Sequence, residues 1–248
     1  MMEKPNEAAL NSSFEFEALK LAVNYRAAII GEFAGYLRGH LLEVGAGIGQ
    51  NTELLRQLPG VERLVSIEPD PEFCAAFRKN FPGQCLIEGT AATIDETGAW
   101  DAIVSINVLE HIFEDEIELA RYFKLLLQRK GRLCLLAPAR QEIYAPLDRE
   151  FGHHRRYSLR DLKEKLETAG FEILHLHYFN FLGYFAWWFN FAVLKQRRFK
   201  PLAVRMFDKL IFPPCHAIER NLVRPPIGQS LIAVARAKGD NYNSGPTR

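Results

Sequence analysis

The stretch Leu41-Leu42-Glu43-Val44-Gly45-Ala46-Gly47-Ile48-Gly49-Gln50-Asn51-Thr52 decides the fold. A short apolar run ends in an acid and passes through three alternate glycines before a helical pattern begins. That order reads as a buried strand, a tight turn and a helix start, with bare backbone offered to a ligand. A dinucleotide fingerprint would place its third glycine at position 50, which is Gln50, so the spacing is G-x-G-x-G and argues against NAD. Nineteen residues past Gly49 the next apolar run ends in Glu68, where a carboxylate accepts hydrogen bonds from both hydroxyls of a ribose. A ribose is therefore expected and a pyrophosphate is not.

Outward from this stretch, short apolar runs alternate with helical ones. His40–Val44, Val61–Glu68, Gln84–Glu88, Asp101–Ile106 and Arg132–Ala137 read as strands, and Phe171–Phe179 and Gln229–Ala235 as two more. Between them, Gln50–Gln57 follows the glycine turn, and Asp70-Pro71-Glu72 supplies an N-cap, a first-turn proline and a first-turn acid. Glu114–Gln128 closes on Arg129, Lys130 and Gly131, and Ser158 with Asp161 opens a helix ending near Gly170. In front, Ala18, Ala22, Tyr25, Ile29, Phe33 and Tyr36 recur every three or four residues over 14–38, the spacing of an amphipathic helix. Strands interleaved with helices imply a mostly parallel sheet covered on both faces.

Composition sets the bounds. The 248 residues are 48% hydrophobic and 25% charged, the make-up of one globular domain, with a net charge of +1 that steers the whole molecule to no polyanion. The balance conceals an asymmetry: residues 1–150 carry 15 basic and 23 acidic side chains, residues 151–248 carry 16 and 7. Cys74, Cys85, Cys134 and Cys215 lie too far apart for a zinc knuckle or a disulfide framework, so no metal is expected. The acidic start of the chain lacks the pattern of a secretory signal, and a cytoplasmic protein is expected. Ile173–Leu194 is free of Asp, Glu, Lys and Arg, yet it opens with strand alternation and carries His175, His177, Asn180 and Asn190, so it is not expected to span a bilayer.

With these motifs in place, the sequence resembles the class I S-adenosylmethionine-dependent methyltransferases over roughly residues 20–175. The resemblance implies one Rossmann-like domain over 1–248, a doubly wound, mostly parallel seven-stranded sheet with an aromatic and basic helical insertion between the last two strands. Within it, 14–38 is the N-terminal helix, 39–137 the cofactor-binding half, 138–228 the substrate loop and insertion, and 238–248 a flexible tail. In that family the loop from Glu43 through Gly45, Ala46 and Gly47 to Gly49 wraps the methionine end of the cofactor and Glu68 holds the ribose, with the adjoining Asn51 and Pro69 also counted as cofactor-binding. Thr90 and Ala91 in LIEGTAATI take the place that flanks adenine, although many members have an Asp there. Asn107, Val108 and His111 in INVLEHI lie beside the sulfonium, and Tyr25 lies across the methionine tail. The implied cofactor is S-adenosyl-L-methionine, released as S-adenosyl-L-homocysteine.

Two segments bear on the acceptor. The stretch from Tyr144 to Tyr157 concentrates histidines, arginines and an acid on a loop beside the strand ends, and Gly152–Tyr157 resembles the G-H-x-R-R-Y stretch of a bacterial subgroup of these enzymes. His153 and His154 are the candidate general bases, with Tyr157 beside them; Tyr144, Asp148, Arg155 and Arg156 are candidate substrate contacts. The aromatic run from Tyr178 to Phe191, with Tyr184 and Trp188 as substrate contacts, and the basic stretch to Arg224 read as an apolar acceptor pocket, as a peripheral membrane contact over 178–224, or as a homodimer interface. The reaction expected is methyl transfer, O-methylation first, to a small-molecule or lipid-linked acceptor. The alternatives are a non-catalytic cofactor-binding or assembly subunit and an RNA methyltransferase. Nucleic acid is not expected as the partner, because the basic patch is local and INVLEH lacks the Asn/Asp-Pro-Pro-aromatic signature.

Overall fold

In the computed structural model, residues 20–95, 99–221 and 224–238 are described. The strands are β1 (Gly39–Val44), β2 (Val61–Glu68), β3 (Cys85–Glu88), β4 (Ala102–Ile106), β5 (Arg132–Pro138), β6 (Phe171–Phe179) and β7 (Ser230–Ala237), in the spatial order β3-β2-β1-β4-β5-β7-β6. Only β7 runs antiparallel to its neighbours. The helices are α1 (Val23–Phe33), α2 (Thr52–Leu55), α3 (Pro71–Asn80), α4 (Asp115–Leu127), α5 (Pro146–Glu150), α6 (Leu159–Thr168), α7 (Phe181–Trp187), α8 (Pro201–Met206) and α9 (Phe212–Asn221). The expected seven-stranded, mostly parallel sheet with its insertion between the last two strands is the observed one.

Consecutive residues of a strand face opposite ways, so the unbroken apolar runs feed two cores. Leu42, Ile103, Leu133 and Leu135 pack with Leu119, Tyr122 and Phe123 of α4 and Leu162 and Leu166 of α6. Leu41, Val104, Cys134 and Leu136 pack with Ile29, Ile30 and Phe33 of α1. The chain leaves β1 toward β2 on one side and returns to β4 on the other, which opens a crevice at the carboxyl ends of β1 and β4.

Local signals explain the helix starts. Asp70 Oδ1 accepts from the backbone N–H groups of Glu72 (2.8 Å) and Phe73 (3.1 Å), with Pro71 at the first helical position. Ser158 Oγ accepts from Asp161 N at 3.0 Å.

Three expectations need correction. The helix read over Gln50–Gln57 is only the single turn α2, because the glycine loop is held down on β2 up to its first residues. The loop that opens the 138–228 segment carries a 3₁₀ turn at Gln141–Ile143 and the helix α5, whose start is tied by Ala145 N to Asp148 Oδ2 at 2.7 Å. Of the helix read over 14–38, the main described helix is α1, which ends at Phe33 and passes into a turn over 34–36; what precedes Lys20, like the tail after Lys238, lies outside the described residues. No helix among the described residues is long and apolar enough to cross a membrane.

The insertion is a pair of helices with π-helical turns. One follows α7 at Trp188–Val193, and the other, Phe207–Ile211, joins α8 to α9. Pro213 and Pro214 supply no N–H to the carbonyls four residues back, and the ladder widens there, with Phe212 N–H bonded to the Phe207 carbonyl. The only two acids of residues 181–221, Asp208 and Glu219, both turn inward to cap helices other than their own. Asp208 accepts from Asn24 N (3.0 Å) and Tyr25 N (2.8 Å) at the start of α1, and Glu219 accepts from Asn180 N (3.1 Å) and Phe181 N (2.8 Å) at the start of α7. These bonds fasten the insertion to the domain. Asp208→Ala is expected to cost about 1–2 kcal/mol, read as a lower urea midpoint, and to speed proteolysis within 194–200; an unchanged midpoint would show that the cap contributes nothing.

Candidate functional site

The turn after β1 is built on backbone that only glycine accepts. Gly45 has φ +70°, and a Cβ there would sit 2.4 Å from Val108 Cγ2, so both conformation and space exclude a side chain. The loop is sewn to β2: Gly45 N and Ala46 N both donate to the Ile67 carbonyl at 3.0 Å, and Gly47 N donates to Glu68 Oε2 at 2.8 Å. Asp70 N donates to Glu68 Oε1 at 3.0 Å. Burial pushes the Glu68 carboxyl above the ordinary range, opposed by these two amide bonds. Each of its oxygens keeps a second lone pair for a hydroxyl donor.

Glu43 works from beneath the loop. Its Oε2 accepts from Thr52 Oγ1 (2.6 Å) and Ser66 Oγ (2.7 Å), tying the first residue of α2 to β1 and β2, and burial pushes its pKa up to about 7. Around the crevice, Asn51 is half-buried before α2, Pro69 and Thr90 are exposed, and Ala91 is buried in a 3₁₀ turn that Thr90 caps through Ala92 N. Asn107 takes φ +53° at the end of β4 and donates its N–H to the Leu136 carbonyl at 2.9 Å.

Next to this edge lies a cavity of about 290 Å³. Its walls come from the ends of β4 and β5 (Asn107, Pro138), from α1 (Tyr25), from the loop after β5 (His153, Arg156) and from the inner side of the insertion (Trp187, Phe191, Phe207). Tyr25 is held with its hydroxyl 3.5 Å from Ser230 Oγ, and burial raises its pKa to about 12.

His153 is presented to this cavity by a buried ion network. Asp148, fully enclosed, meets His153 Nδ1 at 3.0 Å and accepts from Arg156 Nε at 2.9 Å through the same oxygen. Burial works against the Asp148 carboxylate, yet the His153 and Arg156 bonds outweigh it and hold its pKa below the ordinary value. Arg156 also donates to the Ala139 carbonyl (3.1 Å) and lies 4.5 Å from the Trp187 ring centre. Tyr144 donates its hydroxyl to the His153 carbonyl at 2.7 Å.

The other residues read as catalytic or substrate-binding stand elsewhere. Tyr157 is fully buried and donates to Asp115 Oδ2 at 2.8 Å, because a phenol inside a core needs an internal acceptor. His154 is exposed and meets the Phe113 ring rather than the cavity. Arg155 pairs with Asp115 at 2.8 Å on the same outer side. Tyr184 packs on the small cluster of Ile143, Leu147 and Trp187, and Trp188 is 45% exposed. Asp148 and Tyr144 position His153 without lining the cavity. The sequence reading passed over Asp208, Asn180, Gln229 and Ser230. Asp208 had a signal, one of only two acids in a basic stretch, while Asn180, Gln229 and Ser230 reach the cavity only through the pairing of β6 with β7.

His111 sits against His153, ring centres 4.7 Å apart. Its outer edge meets solvent, but protein crowding on the inner side, with the His153 and His154 imidazoles, holds its pKa far down at about 3. One nitrogen each of His111 and His153 and one Glu110 oxygen lie within 4.8 Å of one another. Among the described residues this is where a divalent cation would find ligands, although no metal was expected from the sequence.

Residues 17–176 match a sequence model described as a methyltransferase domain. A "Probable S-adenosylmethionine-dependent methyltransferase" of Mycolicibacterium smegmatis is 27% identical over 137 residues, 54% of this chain. The chain spans about half the length of that curated relative, 52%. Solved structures share the fold. A chain of the complex between the Trm112 methyltransferase activator of Haloferax volcanii and its methyltransferase candidate superposes with a TM-score of 0.60 at 14% identity, over 92% of this chain and 97% of that one. An S-adenosylmethionine-dependent methyltransferase of Archaeoglobus fulgidus gives 0.54 at 15% identity, over 87% and 94%.

The buried Glu43 makes a prediction about stability. Its folded pKa of about 7 stands above the unfolded 4.5, so the folded state holds this proton more tightly; the stabilisation is complete below pH 4.5 and is lost as the pH rises to about 7. Glu43→Gln is expected to flatten that decline by up to about 3 kcal/mol, measured by urea unfolding across the window. Equal slopes in both proteins would contradict it.

Proposed function

The chain belongs to the methyltransferase-domain family, and on that premise we propose that it methylates a hydroxyl of an acceptor seated in the cavity, with His153 as general base. S-adenosylmethionine, when bound, supplies an electrophilic methyl group and departs as S-adenosylhomocysteine. The residues of this chain that suit it line one edge. Glu68 offers acceptors to ribose hydroxyls, the Gly45–Gly49 backbone admits close approach, and Asn51, Pro69, Thr90, Ala91, Asn107, Val108 and His111, on the segments that follow the carboxyl ends of β1 to β4, with Tyr25 of α1, are the residues we assign to the same cofactor.

The observation that carries the acceptor reading is the Asp148–His153 contact at the cavity wall. With Nδ1 committed to Asp148, Nε2 is the nitrogen that takes the proton. It lies buried 3.9 Å from Glu110 Oε1, so the acceptor hydroxyl must enter beside that carboxylate, losing its proton to Nε2 as its oxygen forms the new C–O bond. The C–S bond breaks in the same displacement. Arg156 holds Asp148 in place, and the aromatic wall of Trp187, Phe191 and Phe207 excludes water and favours an acceptor with an apolar body.

The test is transfer of labelled methyl from S-adenosylmethionine to a panel of hydroxylated amphiphiles, alkyl glycosides and phenols, with amines alongside. His153→Gln is expected to lower turnover by about 10²–10⁴ and to abolish the acid limb of the pH profile without changing cofactor affinity, while His154→Ala stays near wild type. Dialysis against a chelator is expected to leave turnover intact. Full activity in His153→Gln, or transfer to amines alone, would refute the base; loss on chelation with recovery on adding a divalent cation would reassign His111, His153 and Glu110 as metal ligands.

A further inference from the structure

The outer surface of the insertion is unlike the rest of the molecule. Of 13 exposed large hydrophobic side chains among the described residues, ten lie between Phe185 and Ile218, Trp188, Phe189, Leu202 and Leu210 among them. Leu202, Met206 and Leu210 recur every four residues, at 71%, 51% and 67% exposure, and form a stripe along one side of the α8 helix and the turn that follows. A water-facing helix normally shows polar residues there.

The charge around the stripe has one sign. Lys195, Lys200, Arg205, Lys209 and Arg220 are exposed, Arg197 is exposed but paired with Glu150 at 3.2 Å, and Arg205 and Lys209 each stand three residues after a member of the stripe. Asp208 and Glu219, the only acids of the segment, are spent on the inward caps of α1 and α7. An apolar stripe edged by cations alone, on a helix too short to cross a bilayer, has the chemistry of an interfacial helix. The exposed aromatics Phe185, Trp188 and Phe189 on the same segment suit the boundary between headgroups and acyl chains, where Trp and Phe of interfacial helices sit.

We propose that the segment 185–218 docks the protein on an anionic lipid bilayer, with the apolar stripe entering the headgroup and acyl boundary and the lysines and arginines resting on the phosphates. The inner side of the same segment is the wall of the cavity, so an acceptor carrying a lipid tail passes from the bilayer to His153 beneath it. This route rests on the methyl-transfer reading; the docking itself does not.

Vesicle co-sedimentation of the whole chain tests it, using phosphatidylcholine alone and phosphatidylcholine with one third phosphatidylglycerol. Wild type is expected to pellet with the anionic vesicles, less so at high salt, with a blue shift of tryptophan emission. Leu202→Asp/Leu210→Asp is expected to weaken partitioning by at least about tenfold with unchanged melting temperature and S-adenosylmethionine affinity. Arg205→Glu/Lys209→Glu is expected to remove the preference for anionic lipid. Wild type remaining in the supernatant with both vesicles, or the aspartate variant pelleting as well as wild type, overturns the proposal. So does sedimentation equilibrium in which wild type is a dimer that the aspartate variant dissolves, since the surface is then an interface between copies. Intact S-adenosylmethionine binding alongside failed docking separates this outcome from failure of the methyl-transfer reading.

Discussion

The bond from Gly47 N to Glu68 Oε2 joins the two strands on which the whole carboxyl edge of the sheet depends. It fixes the glycine loop against β2 and, with the bond from Asp70 N, holds the Glu68 carboxylate at the end of that strand. The arrangement tolerates little change. Gly45 has no room for a side chain against Val108, and Glu43 below is tied to Thr52 and Ser66 at the expense of ionising near neutrality. The loop is therefore preformed, and a ligand meets backbone already in position.

A second constraint shapes the cavity beside it. Asp148, His153 and Arg156 are buried together, and burying such charges gains little stability once their desolvation is counted. What the network supplies is position: a histidine at the cavity wall with Nδ1 committed to Asp148 and Nε2 3.9 Å from Glu110 Oε1. The insertion closes the same space through caps made by Asp208 and Glu219 on helices distant in sequence. Its inward acids hold it to the domain, and its outward face is left apolar and cationic. Fastening and surface chemistry thus come from one division of charge.

Much of this was legible in the sequence because it is local. The strand ends at Val44, Glu68 and Glu88, the Asp70 and Ser158 caps and the glycine spacing each follow from residues a few positions apart. The 138–157 loop was harder to read. Its histidines and arginines were visible, but their sorting was not: His153 and Arg156 face the cavity while His154 and Arg155 face outward, a split set by the turn of α5 and by pairing with Asp115. Tyr157 went to the core for the same reason. The roles of Asp208 and Asn180 depend on contacts about 184 and 49 residues away, and no periodicity reports those.

The central claim is that this edge of the sheet receives S-adenosylmethionine through Glu68. Calorimetric titration of S-adenosylmethionine and of NAD into wild type and Glu68→Ala tests it most directly. The account predicts micromolar binding of S-adenosylmethionine, on the order of −8 kcal/mol, weakened by Glu68→Ala, and no heat from NAD. Binding of neither ligand, or S-adenosylmethionine binding that Glu68→Ala leaves unchanged, would contradict it.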